Sequence, residues 1–355
     1  MFGKQREKFS HSAIDKQDFS LITNSKILKI TTLLFLLLIA LASTAQPAEE
    51  KDVVIGRLTY VDGVPEGLLS TRALVLYDET LTQEELAETQ KYFQQTGIDA
   101  VAYLITDHVL AGPDPLKTFT TYLTTRAINY LIFFEKEKDY SLVFVRYNNT
   151  KDLVDAGALA WKQTNSSLTE LLKTLYRFAV SNQKKQNLLV NDFPETEVPL
   201  KYFTGLRNEK FTNDAISFKI AVAKLGNPKA DAELEQILKE YFPVKYELVD
   251  AQLDDRELGK MGFRTALRFV HTRGSVAKKI LGYDLTQLAK SLTTVYYANK
   301  EPNFKTIAAS QTVYKFYVKH IEFGNIFLGK IWDADITWQD ALKNHLVGMK
   351  IELGF

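Results

Sequence analysis

Acidic side chains follow two consecutive predicted strands, the apolar runs at 73–77 and 99–105. In open α/β sheets, ligands collect beyond the carboxyl ends of the strands, where such side chains meet. Oxygen-rich clusters of this kind suit Ca²⁺ or Mg²⁺. The candidate metal ligands are Asp78 and Glu79 after the first strand, Asp107 and His108 after the second, and Asp114 at the predicted N-cap of the following helix. Together they predict a divalent-metal site and, with it, a phosphatase-like hydrolase.

The same residues also have a purely structural interpretation. Asp78 suits a turn and Asp114 suits a helix cap, while His108 would simply face solvent. No sequence motif that names a reaction accompanies them. The sequence therefore leaves open whether the protein is an enzyme.

A second candidate site lies where the predicted strand 264–272 turns into a helix. Arg273, Gly274 and Ser275 would offer a guanidinium, a permissive backbone and the free N–H groups of a helix start, a combination that binds anions. Ser275 is equally a common N-cap, and Gly274 a common turn residue. Neither a Walker pattern nor a G-x-S-x-G turn supports the anion site.

Other patterns have simpler explanations. Asp333 and Asp335 could bind a metal, but a turn ahead of a helix is the preferred interpretation. The segment 314–319 alternates lysine with aromatic residues, as base-stacking strands do and as a half-buried strand with one wet face also does. The histidines, at positions 11, 108, 271, 320 and 345, show no zinc-ligand spacing. The absence of cysteine excludes disulfides, thiolate metal sites and a cysteine nucleophile.

Composition limits the classes of partner. The chain has 355 residues, is 46% hydrophobic and 25% charged, and carries a formal net charge of +1. These fractions are typical of globular proteins, and the length predicts about two domains. A nearly neutral chain has no bulk electrostatic reason to bind nucleic acid, so we expect no nucleic-acid partner.

The first 45 residues have the pattern of a secretory signal peptide. Lys26 and Lys29 precede the apolar run 30–42, and small residues up to Ala45 offer a cleavage site. The run is shorter than the ~20 residues that usually span a membrane. We expect an exported protein, periplasmic or secreted. The alternative is an uncleaved segment 30–42 that anchors the protein in the inner membrane, which would be its one membrane contact.

Strand and helix patterns alternate after the signal peptide, which predicts an α/β protein with mixed sheets. The predicted units are an N-terminal spacer at 46–71 with a short strand at 53–55, a first domain at 72–182, a linker at 183–199 and a second domain at 200–355. The spacing of elements is similar in the two domains, which either an old duplication or convergent patterning explains. The alternating residues 347–353 predict a final strand.

Residues 79–180 resemble the TPM domain, an exported α/β module of bacterial envelopes and the thylakoid lumen. The segments that carry the resemblance are 81–86 (LTQEEL), 94–102 (QQTGIDAVA) and 129–134 (NYLIFF). It implies a periplasmic domain, sometimes metal-binding, with a phosphatase or assembly role. The chain departs from the family by lacking a glycine-rich stretch after the hairpin and by adding a second domain, so no functional residue is transferred.

The expected function is that of an exported cell-envelope protein. It would act as a binding or assembly module without a cofactor, on an unknown protein or small-molecule ligand of the envelope. The alternative is the hydrolase with Ca²⁺ or Mg²⁺ in the carboxylate crevice of the first domain.

Overall fold

The structure is a computed structural model of the chain. It describes residues 50–149, 152–181, 187, 189–196, 198, 200–211, 217–284, 290–298 and 301–355. The predicted signal peptide, with the alternative anchor at 30–42, lies outside the described residues. Residues 49–355 group as one compact unit, which contains every described residue. Helices and mixed sheets alternate along it, so the predicted α/β class is confirmed.

The first half forms one six-stranded sheet with its helices. Its elements are α1 (Glu50–Gly56), β1 (Thr59–Tyr60), β2 (Arg72–Tyr77), α2 (Gln83–Thr96), β3 (Asp99–Ile105), α3 (Thr106–Val109), α4 (Pro113–Thr125), β4 (Ile128–Lys136), β5 (Tyr140–Arg146), β6 (Leu159–Asn165) and α5 (Leu168–Ser181). The strand order is β1-β6-β5-β4-β2-β3.

The second half forms another six-stranded sheet and a separate two-stranded one. Its elements are β7 (Arg207–Asn208), β8 (Ile220–Ala223), α6 (Pro228–Tyr241), β9 (Tyr246–Val249), α7 (Asp255–Lys260), β10 (Thr265–Arg273), α8 (Gly274–Ile280), β11 (Ser291–Ala298), β12 (Glu301–Ala308), β13 (Thr312–His320), β14 (Ile326–Phe327) and α9 (Trp338–Leu353). The order of the larger sheet is β7-β14-β13-β10-β8-β9, and β11 pairs with β12.

The two large sheets repeat one topology. In the first sheet, β2 lies between the parallel strands β3 and β4, β5 and β6 continue the sheet in antiparallel pairing, and β1 pairs in parallel with β6 at the edge. In the second sheet, β8, β9, β10, β13, β14 and β7 take the corresponding places. A helix follows the last strand in both halves, α5 in the first and α9 in the second. The β11–β12 hairpin is the main element of the second half without a counterpart in the first. The similar spacing seen in the sequence thus extends to strand order and direction.

Local signals place the first long helix. Thr82 accepts a hydrogen bond from the amide of Glu85, whose side chain accepts one from the amide of Thr82, so α2 begins with a capping box. Gly97 ends α2 in the left-handed conformation, as expected of a C-terminal glycine. These short-range contacts fix both helix ends before tertiary packing is considered.

Helix α4 begins differently from the prediction. Gly112 is its N-cap and Pro113 its first residue, so the prediction that Asp114 is the N-cap was wrong. Gly112 has a φ of 136°, and a Cβ there would lie 2.8 Å from the carbonyl oxygen of Phe269. Only glycine permits this close approach to β10, and the approach turns the side chain of Asp114 toward the second half.

Both faces of the first sheet are covered. Along β2, Val75 packs in a cluster with Phe93 of α2, while Leu76 packs on the opposite face in a cluster with Phe119 of α4. The second sheet likewise has a buried cluster on each face. Ala111, from the loop before α4, belongs to one of these second-half clusters, so the cores of the two halves are in contact.

Two predicted strands are helical. Residues 53–55 lie in α1, and 347–353 lie in the last turns of α9. Residues 347–353 continue helix α9 because Leu342, Leu346 and Met349 recur at helical spacing and are buried together. The apparent alternation at 347–353 therefore has no structural meaning.

The segment predicted as a linker runs beside the first sheet where it is described. Glu195 bridges to Ala102 of β3 in parallel, and the side chain of Asn187 donates to the carbonyl oxygen of Gly97. The division into two domains around 183–199 stays a prediction. Among the described helices, none is both long enough and apolar enough to cross a membrane.

Candidate functional site

A cleft of about 1130 Å³ lies along helix α4, between the two halves. Its other walls are the chain at 200–204, helix α7 with the turn that follows it, and the end of β13. The lining includes Asp114, Lys117, Thr118, Thr121, Tyr122, Thr125, Lys201, Tyr202, Phe203, Asp255, Arg256, Phe263, Arg264, Lys319 and Glu322. We call this space the α4 cleft.

Threonines line the α4 wall of the cleft. The hydroxyls of Thr118, Thr121 and Thr125 each donate to a backbone carbonyl oxygen one turn earlier, at 2.9–3.2 Å. Threonine is a weak helix former, and such bonds back to the helix do not stabilise it. Helix stability therefore does not explain this stripe, whose methyl groups and hydroxyl lone pairs remain available to a ligand.

The floor of the cleft is a network of buried charges. The hydroxyl of Tyr317 donates to Oδ2 of Asp114 at 2.7 Å, and Lys319 donates to Oδ1 of the same carboxylate. Lys319 also lies 2.8 Å from Oδ2 of Asp255, which Arg268 contacts at 3.2 Å. Asp114 comes from the first half and the others come from the second, so this network connects the halves.

Two members of the network, Lys319 and Asp255, hold each other in the charged form. Burial acts to lower the pKa of Lys319, but Asp114 and Asp255 raise it overall. Burial likewise acts to raise the pKa of Asp255, but Lys319, Arg268 and Lys117 lower it overall. Lys319 and Asp255 are therefore each stabilised in the ionised form by their partners.

Aromatic side chains form a second wall of the cleft. Tyr202 packs on Phe119 with ring centroids 5.9 Å apart, and Phe203 meets Tyr317 edge-on at 5.5 Å. Phe263 is buried at the start of β10. These contacts fix the segment 200–204 against both halves and give the cleft an apolar side.

Cations dominate the exposed rim. Lys117, Lys201, Arg256 and Arg264 are exposed in the lining, against one exposed carboxylate, Glu322. The Nζ of Lys117 lies 3.7 Å from Asp255, and Lys201 donates to the carbonyl oxygen of Thr204 at 3.0 Å. The guanidinium of Arg264 lies 4.2 Å from the ring centroid of Phe218.

The residues predicted as metal ligands are divided among separate partners. Asp78 lies 3.7 Å from the Nζ of Lys51 on α1. Glu79 and Asp107 both contact the guanidinium of Arg273. The structure therefore brings Glu79 and Asp107 together around a cation, and it leaves Asp78 beside a different one.

The remaining two predicted ligands lie apart from that pair. Asp114 belongs to the floor of the α4 cleft. His108 is largely buried in the short helix α3, and its pKa is lowered to about 4 by burial and then by the charges of Lys279 and Arg273. Within the described residues, no three Asp, Glu or His side chains are grouped as metal ligands. The metal site stays a prediction that solution measurements can test.

The predicted anion site is engaged within the protein. The amides of Gly274 and Ser275 donate to the carbonyl oxygens of Gln311 and Ala309, each at 3.0 Å. Arg273 is the cation between Glu79 and Asp107, and the hydroxyl of Thr272 donates to the carbonyl oxygen of Asp107 at 3.0 Å. Two residues of the predicted metal site, Glu79 and Asp107, therefore pair with Arg273 of the predicted anion site.

A second buried charge cluster lies behind β13. Asp333 contacts the Nζ of Lys315 at 2.8 Å and the Nδ1 of His345 at 3.1 Å. Lys315 is fully buried, so β13 does not have the wet lysine face that its alternation predicted. Asp335 accepts hydrogen bonds from Lys305 and Asn344, so these two aspartates hold the β11–β12 and α9 elements together.

The α4 cleft itself was missed from the sequence. Its residues come from three stretches, 114–125, 200–204 and 255–264, and from the end of β13. The one local signal is the run of threonines at 118–125, which is unusual on an exposed helix. The threonines therefore indicate a helix face selected for something other than helix stability, but they do not identify the other segments that line the cleft.

Comparison of the sequence with models of known protein families finds no match, and comparison with curated proteins finds none either. The resemblance of residues 79–180 to the TPM domain stays a prediction.

Proposed function

We propose that the protein is exported and acts by binding a ligand in the α4 cleft, without a cofactor. The observation that carries this proposal is the cleft itself, an open space of about 1130 Å³ between the halves. Small-molecule sites are typically concavities of ~300–1000 Å³ with apolar walls and a few oriented polar groups. The aromatic wall and the charged rim of the α4 cleft have this composition.

The chemistry of the floor favours binding over catalysis. Catalytic acids and bases need a pKa close to the working pH and access to the substrate. Asp255 and Lys319 instead hold their charges through each other, and Asp114 is engaged by Tyr317 and Lys319. Such a network of buried contacts suits a role in fixing the shape of a binding site.

Export rests on the N-terminal pattern. A basic flank, a short apolar run and a small-residue exit at Ala45 are typical of a cleaved signal peptide. Sequencing the N-terminus of protein taken from the exporting cell tests this point, and we expect a mature chain that begins at Gln46. A chain that keeps residues 30–42 and sediments with membranes would replace secretion by anchoring.

The cleft is tested with a neutral fluorescent probe, N-phenyl-1-naphthylamine, whose emission rises in apolar sites. Thr121 lines the cleft, so Thr121→Trp places a large indole ring in the space of the probe, and we expect the probe affinity to fall at least tenfold. Thr124→Trp is the matched control, because Thr124 lies on the same helix but lines a neighbouring hollow. Equal binding by wild type and Thr121→Trp would contradict the proposed site.

A further inference from the structure

The buried charges of the α4 cleft are compensated among themselves. Asp114 and Asp255 are the two carboxylates of the floor, and Lys319 lies between them. Arg268 contacts Asp255 from behind at 3.2 Å. A ligand in the cleft therefore meets little unbalanced negative charge from the floor.

The exposed charges of the cleft are unbalanced. Lys117, Lys201 and Arg256 are exposed in its lining, and Glu322 is the exposed carboxylate among the described lining residues. A concave surface with low-dielectric walls focuses the field of such charges on the space between them. The potential inside the cleft therefore favours an anion.

The rest of the lining favours an apolar body on that anion. Tyr202 lines the cleft as a half-buried ring, and Phe203 and Phe263 contribute the small part of their rings that stays exposed, beside the methyl groups of the α4 threonines. Next to the lining in the chain, Met261 and Phe323 expose more than half of their surface. Burying apolar area of a ligand against these groups is favourable by ~25 cal/mol per Å².

We infer that the ligand of the α4 cleft is a small amphipathic anion, with one acidic group on an apolar body. This inference rests on the proposed function and names the class of its ligand. The acidic group lies between Lys117 and Arg256, where a guanidinium can hold a carboxylate, sulfonate or phosphate oxygen pair. The apolar body lies along the aromatic wall.

The test compares two probes of similar shape. 1-Anilinonaphthalene-8-sulfonate carries a sulfonate, and N-phenyl-1-naphthylamine lacks it. We expect wild type to bind the sulfonate about tenfold more tightly, and the preference to shrink as salt is raised, because exposed charges are screened. In the double variant Lys117→Gln/Arg256→Gln, we expect the ratio of the two dissociation constants to approach one. Lys239→Gln, which removes an exposed cation of α6, is the matched control and should keep the ratio.

The outcomes separate this inference from the proposed function. Equal affinity for the two probes in wild type, with both lost in Thr121→Trp, would overturn the anionic class and keep the binding site. A preference for the sulfonate that survives in Lys117→Gln/Arg256→Gln would also overturn it. Binding of both probes that Thr121→Trp leaves unchanged would overturn the site, and the inference with it.

Discussion

The hydroxyl of Tyr317 donates a 2.7 Å hydrogen bond to Asp114, a residue 203 positions earlier in the chain. Both side chains are buried, and Lys319 contacts the same carboxylate. This contact joins β13 of the second half to the first turn of α4. The floor of the α4 cleft is therefore also a connection between the halves, and changes in it should affect both stability and ligand binding.

Asp114→Ala should lower the free energy of unfolding by about 3 kcal/mol, because breaking a buried ion pair leaves a cation without one of its partners. Asp255 remains beside Lys319, which keeps the loss at the low end of the usual range. Tyr317→Phe should cost about 2 kcal/mol, because a hydrogen bond to a charged group contributes ~1.5–3 kcal/mol. Urea unfolding measures both. A cost for Asp114→Ala no larger than that of Lys219→Ala, which breaks an exposed pair, would contradict this role.

Arg273→Met should destabilise the protein by about 2 kcal/mol, because Glu79 and Asp107 then lose their shared cation. The control is a double-mutant cycle with Asp107→Asn, measured by urea unfolding. If the guanidinium neutralises that carboxylate, the double variant should lose clearly less than the sum of the single losses. Additive losses would show that the two side chains stabilise the fold independently.

The buried histidine of β10 should make the protein sensitive to acid. Burial lowers the pKa of His271 from 6.5 to about 4. Between these values the unfolded chain binds the proton and the folded protein does not. This stability is present above pH 6.5 and is lost as the pH falls toward 4. His271→Phe preserves the stacking on Tyr314, whose ring centroid lies 3.8 Å away, and removes the titration.

Urea unfolding of wild type and His271→Phe at pH 7 and pH 4.5 measures how much His271 contributes to the pH dependence of the free energy of unfolding. Wild type should lose about 2 kcal/mol more than the variant between the two pH values, since one pKa unit corresponds to ~1.36 kcal/mol. Parallel losses in the two proteins would show that His271 titrates normally.

Local signals were enough for much of the fold. The predicted strand at 99–105 matches β3, and Thr82 with Glu85 at one end and Gly97 at the other are local signals for the ends of α2. These features depend on contacts within a few residues. The strand predicted at 347–353 was wrong, because these residues continue helix α9, one face of which packs in the core, in spite of their alternating pattern.

The state of the predicted carboxylate crevice depends on contacts between residues far apart in the sequence. The prediction of a carboxylate crevice placed Glu79 and Asp107 at the ends of neighbouring strands, and the structure does bring them together. The cation that joins them, Arg273, lies 166 residues beyond Asp107. Long-range pairing of this kind decides whether a cluster of acids attracts a metal or is already neutralised, and a single sequence does not show it.

The predicted metal site has its own test. Asp78, Asp107 and Asp114 contact Lys51, Arg273 and Lys319 respectively. A metal would have to displace those cations, so we expect millimolar Ca²⁺ or Mg²⁺ to leave the melting temperature unchanged. A ligand at ~100 times its dissociation constant would stabilise the fold by about 2.7 kcal/mol, which a thermal melt resolves. A rise that Asp107→Asn abolishes would restore the metal site and the hydrolase interpretation.

Hydrogen–deuterium exchange with and without 1-anilinonaphthalene-8-sulfonate shows directly whether the α4 cleft binds a ligand. Bound probe should slow amide exchange in 113–125, in 200–204 and in 255–264, and in Thr121→Trp the slowing should disappear. The β11–β12 hairpin, with its exposed Phe304, serves as the internal comparison. Slowed exchange in all three cleft segments would support the account, whereas slowing confined to the hairpin or to α5 would contradict it.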